Sequence, residues 1–185
     1  MSDVTAIIAS PRKNGNCATI VGKMVETLEA EGKSVNVFYA NQLENAKGCQ
    51  ACMGCKKAGK CIRKDDITPI LESIAESGSL ILATPDYFGL ACSQYRMIED
   101  RFYGFVGMKD GQFCSNIPEG KKVAVVVTSG SGAGADNIEN GIKGVMGGFL
   151  KCEVVGAINY KEGPAGPAKD NAQVLNEAVA LAKKL

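Results

Sequence analysis

Close to its start the sequence passes from the apolar run Val4-Thr5-Ala6-Ile7-Ile8-Ala9 into the polar loop Ser10-Pro11-Arg12-Lys13-Asn14-Gly15-Asn16. A continuous apolar run rich in β-branched residues is typical of a strand buried on both faces of a parallel sheet. Apolar residues then recur at helical spacing from Ile20 to Leu28, with Asn16 placed to cap this helix and Gly32 to end it. The order of strand, polar loop and helix predicts an α/β fold.

Four further apolar runs predict the remaining strands, which are Val35–Tyr39, Leu80–Thr84, Val123–Thr128 and Val154–Ile158. Helical patterns separate them: one helix is capped by Asp65 or Asp66, and others are predicted over Cys92–Tyr103, Asp136–Phe149 and Ala168–Lys184. The polar segment Gly104–Gly120 is expected to be a long connecting loop. Five strands that alternate with helices predict a doubly wound sheet with helices on both faces.

Length and charge limit the possible partners. The 185 residues fit one domain, residues 1–185, and Lys plus Arg number 21 against 20 Asp plus Glu. Without a basic or acidic excess, we expect neither nucleic acid nor a membrane surface as a partner. No apolar run reaches the ~18 residues of a membrane span. Asp3 stands where a secretion signal carries positive charge, so we expect a cytoplasmic protein with reduced thiols.

The sequence contains no histidine but eight cysteines. Without histidine, Ser-His-Asp or Cys-His catalysis and a histidine-ligated metal are excluded. If the protein has chemistry, sulfur or a bound cofactor must therefore supply much of it.

In a doubly wound sheet, ligands bind outside the carboxyl ends of the strands. The loops at these ends are Ser10–Asn16, Asn41–Asp65, Pro85–Ala91 and Ser129–Ala135. The first offers a hydroxyl, a guanidinium, two amides and a helix N-terminus, which suit a terminal phosphate, although an ordinary polar loop is the alternative. With one glycine instead of the pattern G-x-G-x-x-G, it fits a mononucleotide such as FMN better than NAD.

The fourth of these loops is rich in small residues. Thr128 and Ser129 are followed by Gly130-Ser131-Gly132-Ala133-Gly134, and glycine lets a backbone approach a planar ring closely. We expect contact with the cofactor here; the alternative is a mobile connection.

Half of the cysteines are concentrated in one loop, residues 48–64, with the spacing Cys49-x2-Cys52-x2-Cys55-x5-Cys61. Thiolates at these gaps can surround one [4Fe–4S] cluster. The alternatives are a zinc site, a disulfide pair, or a cysteine-rich stretch that has lost its metal. The remaining cysteines are dispersed and are expected to be small buried hydrophobes.

Three motifs together resemble the NADPH-dependent FMN reductase family: Ser10–Asn16, Pro85-Asp86-Tyr87-Phe88-Gly89 and Asp100-Arg101. Within that family, the cysteine segment is similar to that of the iron–sulfur flavoproteins. The resemblance implies a flavodoxin-like three-layer sandwich with strand order 2-1-3-4-5 and FMN at the strand ends. It also implies homodimers or homotetramers that share the flavin site across an interface.

The resemblance also implies roles for individual residues. Ser10, Arg12, Asn14 and Asn16 would hold the phosphate, and Pro85, Tyr87, Phe88 and Gly89 would line the isoalloxazine. Cys17, followed by Ala18, stands where the family usually has Ser or Thr. Asp86 replaces a small apolar residue; it is either a solvated turn carboxylate or a charge that lowers the flavin potential.

The expected function is that of an FMN-dependent oxidoreductase that passes electrons between FMN and a [4Fe–4S] cluster held by Cys49, Cys52, Cys55 and Cys61. FMN would bind at the edge of the sheet, in contact with Thr128, Ser129, Gly130 and Gly134. The redox partner would be NAD(P)H, a small molecule or a protein. The alternatives are an NAD(P)H-dependent FMN, quinone or azo reductase without a cluster, a flavodoxin-type electron carrier, and a zinc-bound interaction module.

Overall fold

A computed structural model gives the structure of residues 2–185, and a parallel β-sheet lies at its centre. The strands are β1 (Val4–Ile8), β2 (Val35–Tyr39), β3 (Ser79–Tyr87), β4 (Leu90–Ala91), β5 (Val106–Lys109), β6 (Gln112–Ser115), β7 (Lys122–Ser129) and β8 (Glu153–Lys161). The α-helices are α1 (Asn16–Ala30), α2 (Gly54–Ala58), α3 (Thr68–Glu76), α4 (Ser93–Glu99), α5 (Ala135–Lys143) and α6 (Ala172–Ala182). None of these helices is long and apolar enough to cross a membrane.

The strand order confirms the expected fold class. The parallel strands lie in the order β2-β1-β3-β7-β8, which is 2-1-3-4-5 when only the five predicted strands are counted. The short strand β4 pairs antiparallel with the end of β3. This order is the flavodoxin-like variant of the doubly wound sheet, with its switch point between β1 and β3.

Apolar side chains of the central strands fill two separate cores, one on each face of the sheet. In β1, Ile7 belongs to the core that also contains Ile70 of α3 and Ile138 of α5. Its neighbour Ile8 belongs to the other core, together with Met24 of α1. Because successive strand residues point to opposite faces, a run without polar residues is required to serve both cores.

The ends of α1 differ slightly from expectation. Gly15, rather than Asn16, is the N-cap, because the Asn16 side-chain oxygen accepts a hydrogen bond from the backbone N–H of Ala168 at 3.0 Å. Gly32 ends the helix as predicted: its φ is +83°, and the N–H of Lys33 bonds to the carbonyl of Leu28. Such left-handed closure favours glycine.

The predicted caps of the second helix have separate tasks. Asp65 accepts the N–H of Ile67 at 3.2 Å, while its own N–H donates to Thr68 Oγ1 at 3.0 Å, so it closes the start of α3. Asp66 instead accepts the N–H groups of Glu44 and Asn45. It thus anchors the chain that leads into the cysteine segment.

Four predicted boundaries need correction. The helix predicted over Cys92–Tyr103 is α4 followed by a 3-10 helix, Asp100–Phe105. The helix predicted over Asp136–Phe149 ends in a π-helix, Gly144–Phe149. The helix predicted over Ala168–Lys184 begins with a 3-10 helix, Ala168–Asp170. The supposed loop Gly104–Gly120 contains the hairpin β5–β6, whose turn uses Asp110 and Gly111 at positive φ.

Gly22, inside α1, and Gly32, at the end of α1, give opposite predictions for the stability of the protein. A Cβ on Gly32 meets no atom within 4 Å among residues 2–185, so Gly32→Ala should lower the free energy of unfolding by about 1 kcal/mol through its positive φ alone. Gly22 is equally uncrowded but lies inside the helix, so Gly22→Ala should raise stability by about 1 kcal/mol. Urea unfolding of both variants tests this; equal effects would contradict the assigned helix end.

Candidate functional site

A cavity of ≈ 190 Å³ opens at the carboxyl ends of β1, β3 and β7. Its walls come from the loop before α1, from the ends of β3 and β7, and from the residue after β8. The lining residues are Ser10, Arg12, Gly15, Asn16, Pro85, Asp86, Tyr87, Thr128, Ser129, Gly130 and Glu162. Its position at the switch point of the sheet is the one at which this architecture binds ligands.

The loop after β1 forms the polar end of this cavity. Ser10 Oγ accepts the N–H of Arg12 at 3.2 Å, and the N–H of Gly15 bonds to the carbonyl of Arg12 at 3.1 Å. A Cβ on Gly15 would lie 2.9 Å from Cβ of Arg12, so the turn is too tight for a larger residue. The turn thereby brings a hydroxyl, a guanidinium and the start of α1 to one place, as phosphate binding requires.

Ser129, at the end of β7, places a buried hydroxyl at the wall of the cavity. The side chain is buried, and its Oγ has no hydrogen-bond partner in residues 2–185. A buried hydroxyl without a partner is unfavourable and calls for a bound group. Since Ser129 lines the cavity, a ligand with hydrogen-bonding atoms fits there.

Asp86 ties two loops of the site together. Its Oδ1 accepts the N–H of Gly89 at 2.7 Å, and its Oδ2 accepts the N–H of Gly134 at 3.1 Å. These loops touch closely, because a Cβ on Gly134 would lie 2.2 Å from Cα of Gly89. The carboxylate is therefore more than a solvated turn residue; its effect on a cofactor's potential stays a prediction.

The aromatic residues of the β3–β4 turn lie at the open side. Tyr87 lines the cavity and is half-exposed. Phe88 is fully exposed at 105 % and has a φ of +58°, a conformation that is uncommon for a bulky residue. Such strain is often retained at ligand-binding turns.

The cavity brings together nine of the predicted cofactor-binding residues: Ser10, Arg12, Asn16, Pro85, Asp86, Tyr87, Thr128, Ser129 and Gly130. It does not bring Asn14, Cys17, Ala18, Phe88, Gly89 or Gly134 to its wall. Cys17 lies in the core, where its Sγ is 3.1 Å from Thr128 Oγ1 and burial raises its pKa to about 12. As cofactor contacts, these six residues stay predictions.

Sequence reasoning missed two lining residues. Gly15 belongs to the predicted loop but offers only backbone, and Glu162 follows the edge strand β8, outside the four predicted loops. The rule that ligands lie beyond strand ends would have found Glu162 if it had been applied to the edge strand.

The four clustered cysteines line a second, much smaller concavity of ≈ 20 Å³, which has room for one water molecule. Cys49 and Cys52 are exposed, Cys55 is buried in α2 and Cys61 is half-buried. Between them, Ala51 and Met53 have φ of +51° and +58°, so the backbone curves sharply. Within residues 2–185, no group of three or more Cys, Asp or Glu side chains has metal-binding spacing.

A buried ion pair lies beneath this concavity. Arg101 Nη1 and Asp65 Oδ2 are 2.7 Å apart, and both side chains are almost fully buried. Burial raises the pKa of Asp65, but its hydrogen bond to Arg101 and the charge of Arg101 outweigh burial and hold that pKa below its ordinary value.

A flavodoxin-like sheet with a polar cavity at its switch point defines an α/β protein of the kind that binds a phosphate-bearing cofactor. Comparison with known proteins makes this specific. The chain belongs to the NADPH-dependent FMN reductase family, whose sequence profile matches residues 2–163. The resemblance inferred from the three sequence motifs is thereby confirmed.

Among curated proteins, the chain is similar to iron–sulfur flavoproteins of several organisms. It is 33% identical to that of Methanosarcina thermophila over 99 residues, which are 53% of this chain and 51% of the relative. It is 34% identical to one of Methanocaldococcus jannaschii over 98 residues, which are 53% of this chain and 50% of the relative. The chain therefore spans about half the length of the curated relatives it matches.

Solved structures confirm the fold. Azoreductase AzrA superposes with a TM-score of 0.73 at 15% identity, over 98% of this chain and 99% of that one. An apo NADH:FMN oxidoreductase, EMOB, gives a TM-score of 0.68 at 14% identity, over 100% of this chain and 88% of that one.

The two hydrogen bonds of Asp86 give a prediction about loop mobility. In Asp86→Asn, one acceptor oxygen becomes an NH2 group, so one of the two backbone ties is lost. We expect roughly tenfold faster deuterium uptake in residues 86–91 or 130–135. Asp110→Asn, in the exposed turn of the β5–β6 hairpin, is the matched control. Unchanged uptake in both loops would show that the ties do not hold them.

Proposed function

We propose that the protein is an FMN-dependent oxidoreductase. The observation that carries this proposal is the polar cavity at the switch point, which is lined by the tight loop Ser10–Asn16 and by a buried Ser129 hydroxyl that has no hydrogen-bond partner among residues 2–185. Family membership supports FMN as the molecule that fits.

Each part of the site has a task in this proposal. Ser10, Arg12 and the start of α1 hold the phosphate by charge and hydrogen bonds. Ser129 donates a hydrogen bond to the bound cofactor, and Asp86 keeps the two loops beside it in place. When bound, FMN supplies the electron-accepting and electron-donating chemistry, so the protein contributes binding, orientation and electrostatics. This division explains why a chain without histidine can be an oxidoreductase.

We further propose that Cys49, Cys52, Cys55 and Cys61 hold a [4Fe–4S] cluster. The donor set fits such a group: four thiols line one concavity, and iron–sulfur clusters are held by thiolates. The surroundings fit as well, because segment 47–64 contains six Lys or Arg and no Asp or Glu, which offsets a cluster's negative charge. Because metal binding is coupled to the folding of the segment that carries the ligands, the thiols can converge when the cluster is loaded.

One observation favours a second function, that of an NAD(P)H-dependent FMN, quinone or azo reductase without a cluster. The concavity between the cysteines has a volume of ≈ 20 Å³, which is too small for a cluster as the segment stands. Both functions use the same flavin site. They differ in whether iron and sulfide accompany the flavin.

The basic residues of segment 47–64 indicate the class of redox partner. Cys49 and Cys52 are exposed, and they belong to segment 47–64, which contains six Lys or Arg and no Asp or Glu. Such a basic segment favours an acidic protein or an anionic small molecule such as NAD(P)H. A homodimer or homotetramer stays a prediction.

The buried Ser129 hydroxyl gives a direct test of the flavin site. Ser129→Ala should weaken FMN binding roughly tenfold, since it removes one hydrogen bond to the cofactor, while the apo protein keeps its stability. Flavin fluorescence quenching measures the Kd. Ser131→Ala, an exposed serine of the same loop, is the matched control and should bind FMN normally. Equal affinities of the two variants would remove Ser129 from the site.

A cysteine substitution distinguishes the proposed cluster site from the proposed flavin site. After anaerobic purification, the wild type should contain iron, labile sulfide and FMN. Cys52→Ala should lose the iron and keep the FMN, because Cys52 does not line the flavin cavity. Cys114→Ala, outside the segment, should retain both. A wild type with flavin but no iron or sulfide would favour the cluster-free reductase.

A further inference from the structure

Arg101, in the 3-10 helix Asp100–Phe105, is a buried cation with an unusual set of partners. Its side chain is 0% exposed, and a buried charge is costly unless it is paired and hydrogen-bonded. The guanidinium donates to Asp65 Oδ2 at 2.7 Å, to the carbonyl of Lys47 at 3.0 Å and to Cys61 Sγ at 3.1 Å. Its Nη2 finds no acceptor in the described part of the chain.

All three acceptors belong to the cysteine segment and its flanks. Lys47 precedes the first of the four cysteines, Cys61 is the last, and Asp65 follows it. One guanidinium therefore holds both ends of the segment and one of its sulfurs. A planar fork of N–H groups allows this, whereas the ammonium of a lysine is a single point on a flexible stem.

The hydrogen bond from Arg101 to the sulfur of Cys61 is not needed to neutralise the charge of Arg101. The charge of Arg101 is already paired with Asp65, whose side chain is 2% exposed. A thiol is a weak acceptor, whereas the thiolate sulfur of an iron ligand accepts a stronger, charge-assisted bond. An N–H group directed at Cys61 therefore favours the metal-bound form of this residue.

The backbone of Gly104 packs directly against Cys61. A Cβ at this position would lie 2.8 Å from the backbone N and 3.1 Å from the Cβ of Cys61. The 3-10 helix thus contributes both the hydrogen-bond donor and the close backbone surface that fix where the sulfur of Cys61 lies.

We infer that Arg101 is the positioning residue of the proposed cluster: it places Cys61 as a ligand and stabilises the reduced cluster through its N–H···S bond. The inference rests on the proposed function. Hydrogen bonds to sulfur are among the factors that set cluster potentials, because they favour the added negative charge. Residues that orient ligands in this way typically change metal affinity by about 10- to 100-fold.

The test compares Arg101→Lys with Arg63→Lys in the anaerobically reconstituted protein. Arg63 lines the same concavity and pairs with the same Asp65 at 3.4 Å, but in the described chain its guanidinium bonds to none of the sulfurs. Arg101→Lys should lose iron to a chelator at least about tenfold faster than wild type. Its cluster midpoint potential, followed by EPR during reductive titration, should shift to more negative values. Arg63→Lys should match wild type in both.

Gly104→Ala is the second variant, since it displaces Cys61 without removing the buried charge. It should also accelerate iron loss, and FMN content should stay at the wild-type level in all variants, which reports on folding. If Arg101→Lys and Arg63→Lys behave alike and Gly104→Ala keeps its iron, Arg101 and its helix do not position the ligand. A wild type that takes up neither iron nor sulfide overturns the cluster itself, and this inference with it.

Discussion

Burial of the central strands on both faces is the constraint on which the rest of the molecule depends. Every residue of β1 and the first seven of β3 are buried. A polar group within these strands must find a partner inside the protein, as Thr5 does with Ser73 and Ser77. Groups intended for a ligand are therefore confined to the strand ends, and the parallel arrangement collects these ends at one edge.

One helical element connects this edge with the cysteine segment. Cys92 lies at its start and donates two hydrogen bonds: its backbone N–H donates to Thr84 Oγ1, and its Sγ donates to the carbonyl of Ala9. Nine residues later, in the 3-10 helix that directly continues α4, is Arg101. The proposed flavin and cluster sites are thus connected by one continuous helical run. A change at one end can leave the other intact as long as the helix itself is not broken.

The sequence reveals strands and loops more readily than the contacts between them. Apolar runs locate all five parallel strands, because double-sided burial leaves a continuous signal; their order came from family resemblance. The hairpin β5–β6 was missed because its two strands are only four residues long, too short for their alternation to stand out, although the turn Asp110-Gly111 is a typical hairpin signal. Nor could spacing show that Asn16 bonds to Ala168, that Asp86 bridges two glycines, or that Arg101 reaches Cys61, because these contacts join residues distant in sequence.

The cysteine segment is fixed at both ends by Arg101, whereas the arc that carries Cys49 and Cys52 is exposed. Lys56, next to the buried Cys55, donates to the carbonyls of Tyr103 and Val106 and lies 3.5 Å from the centre of the Tyr103 ring. Cys61 is fixed by Arg101. By contrast, the arc from Cys49 to Met53 is exposed and carries two left-handed residues, so its conformation is costly to maintain. Metal loading would then require only that this arc move toward two sulfurs already in place, a local rearrangement that leaves the sheet and the flavin cavity unchanged.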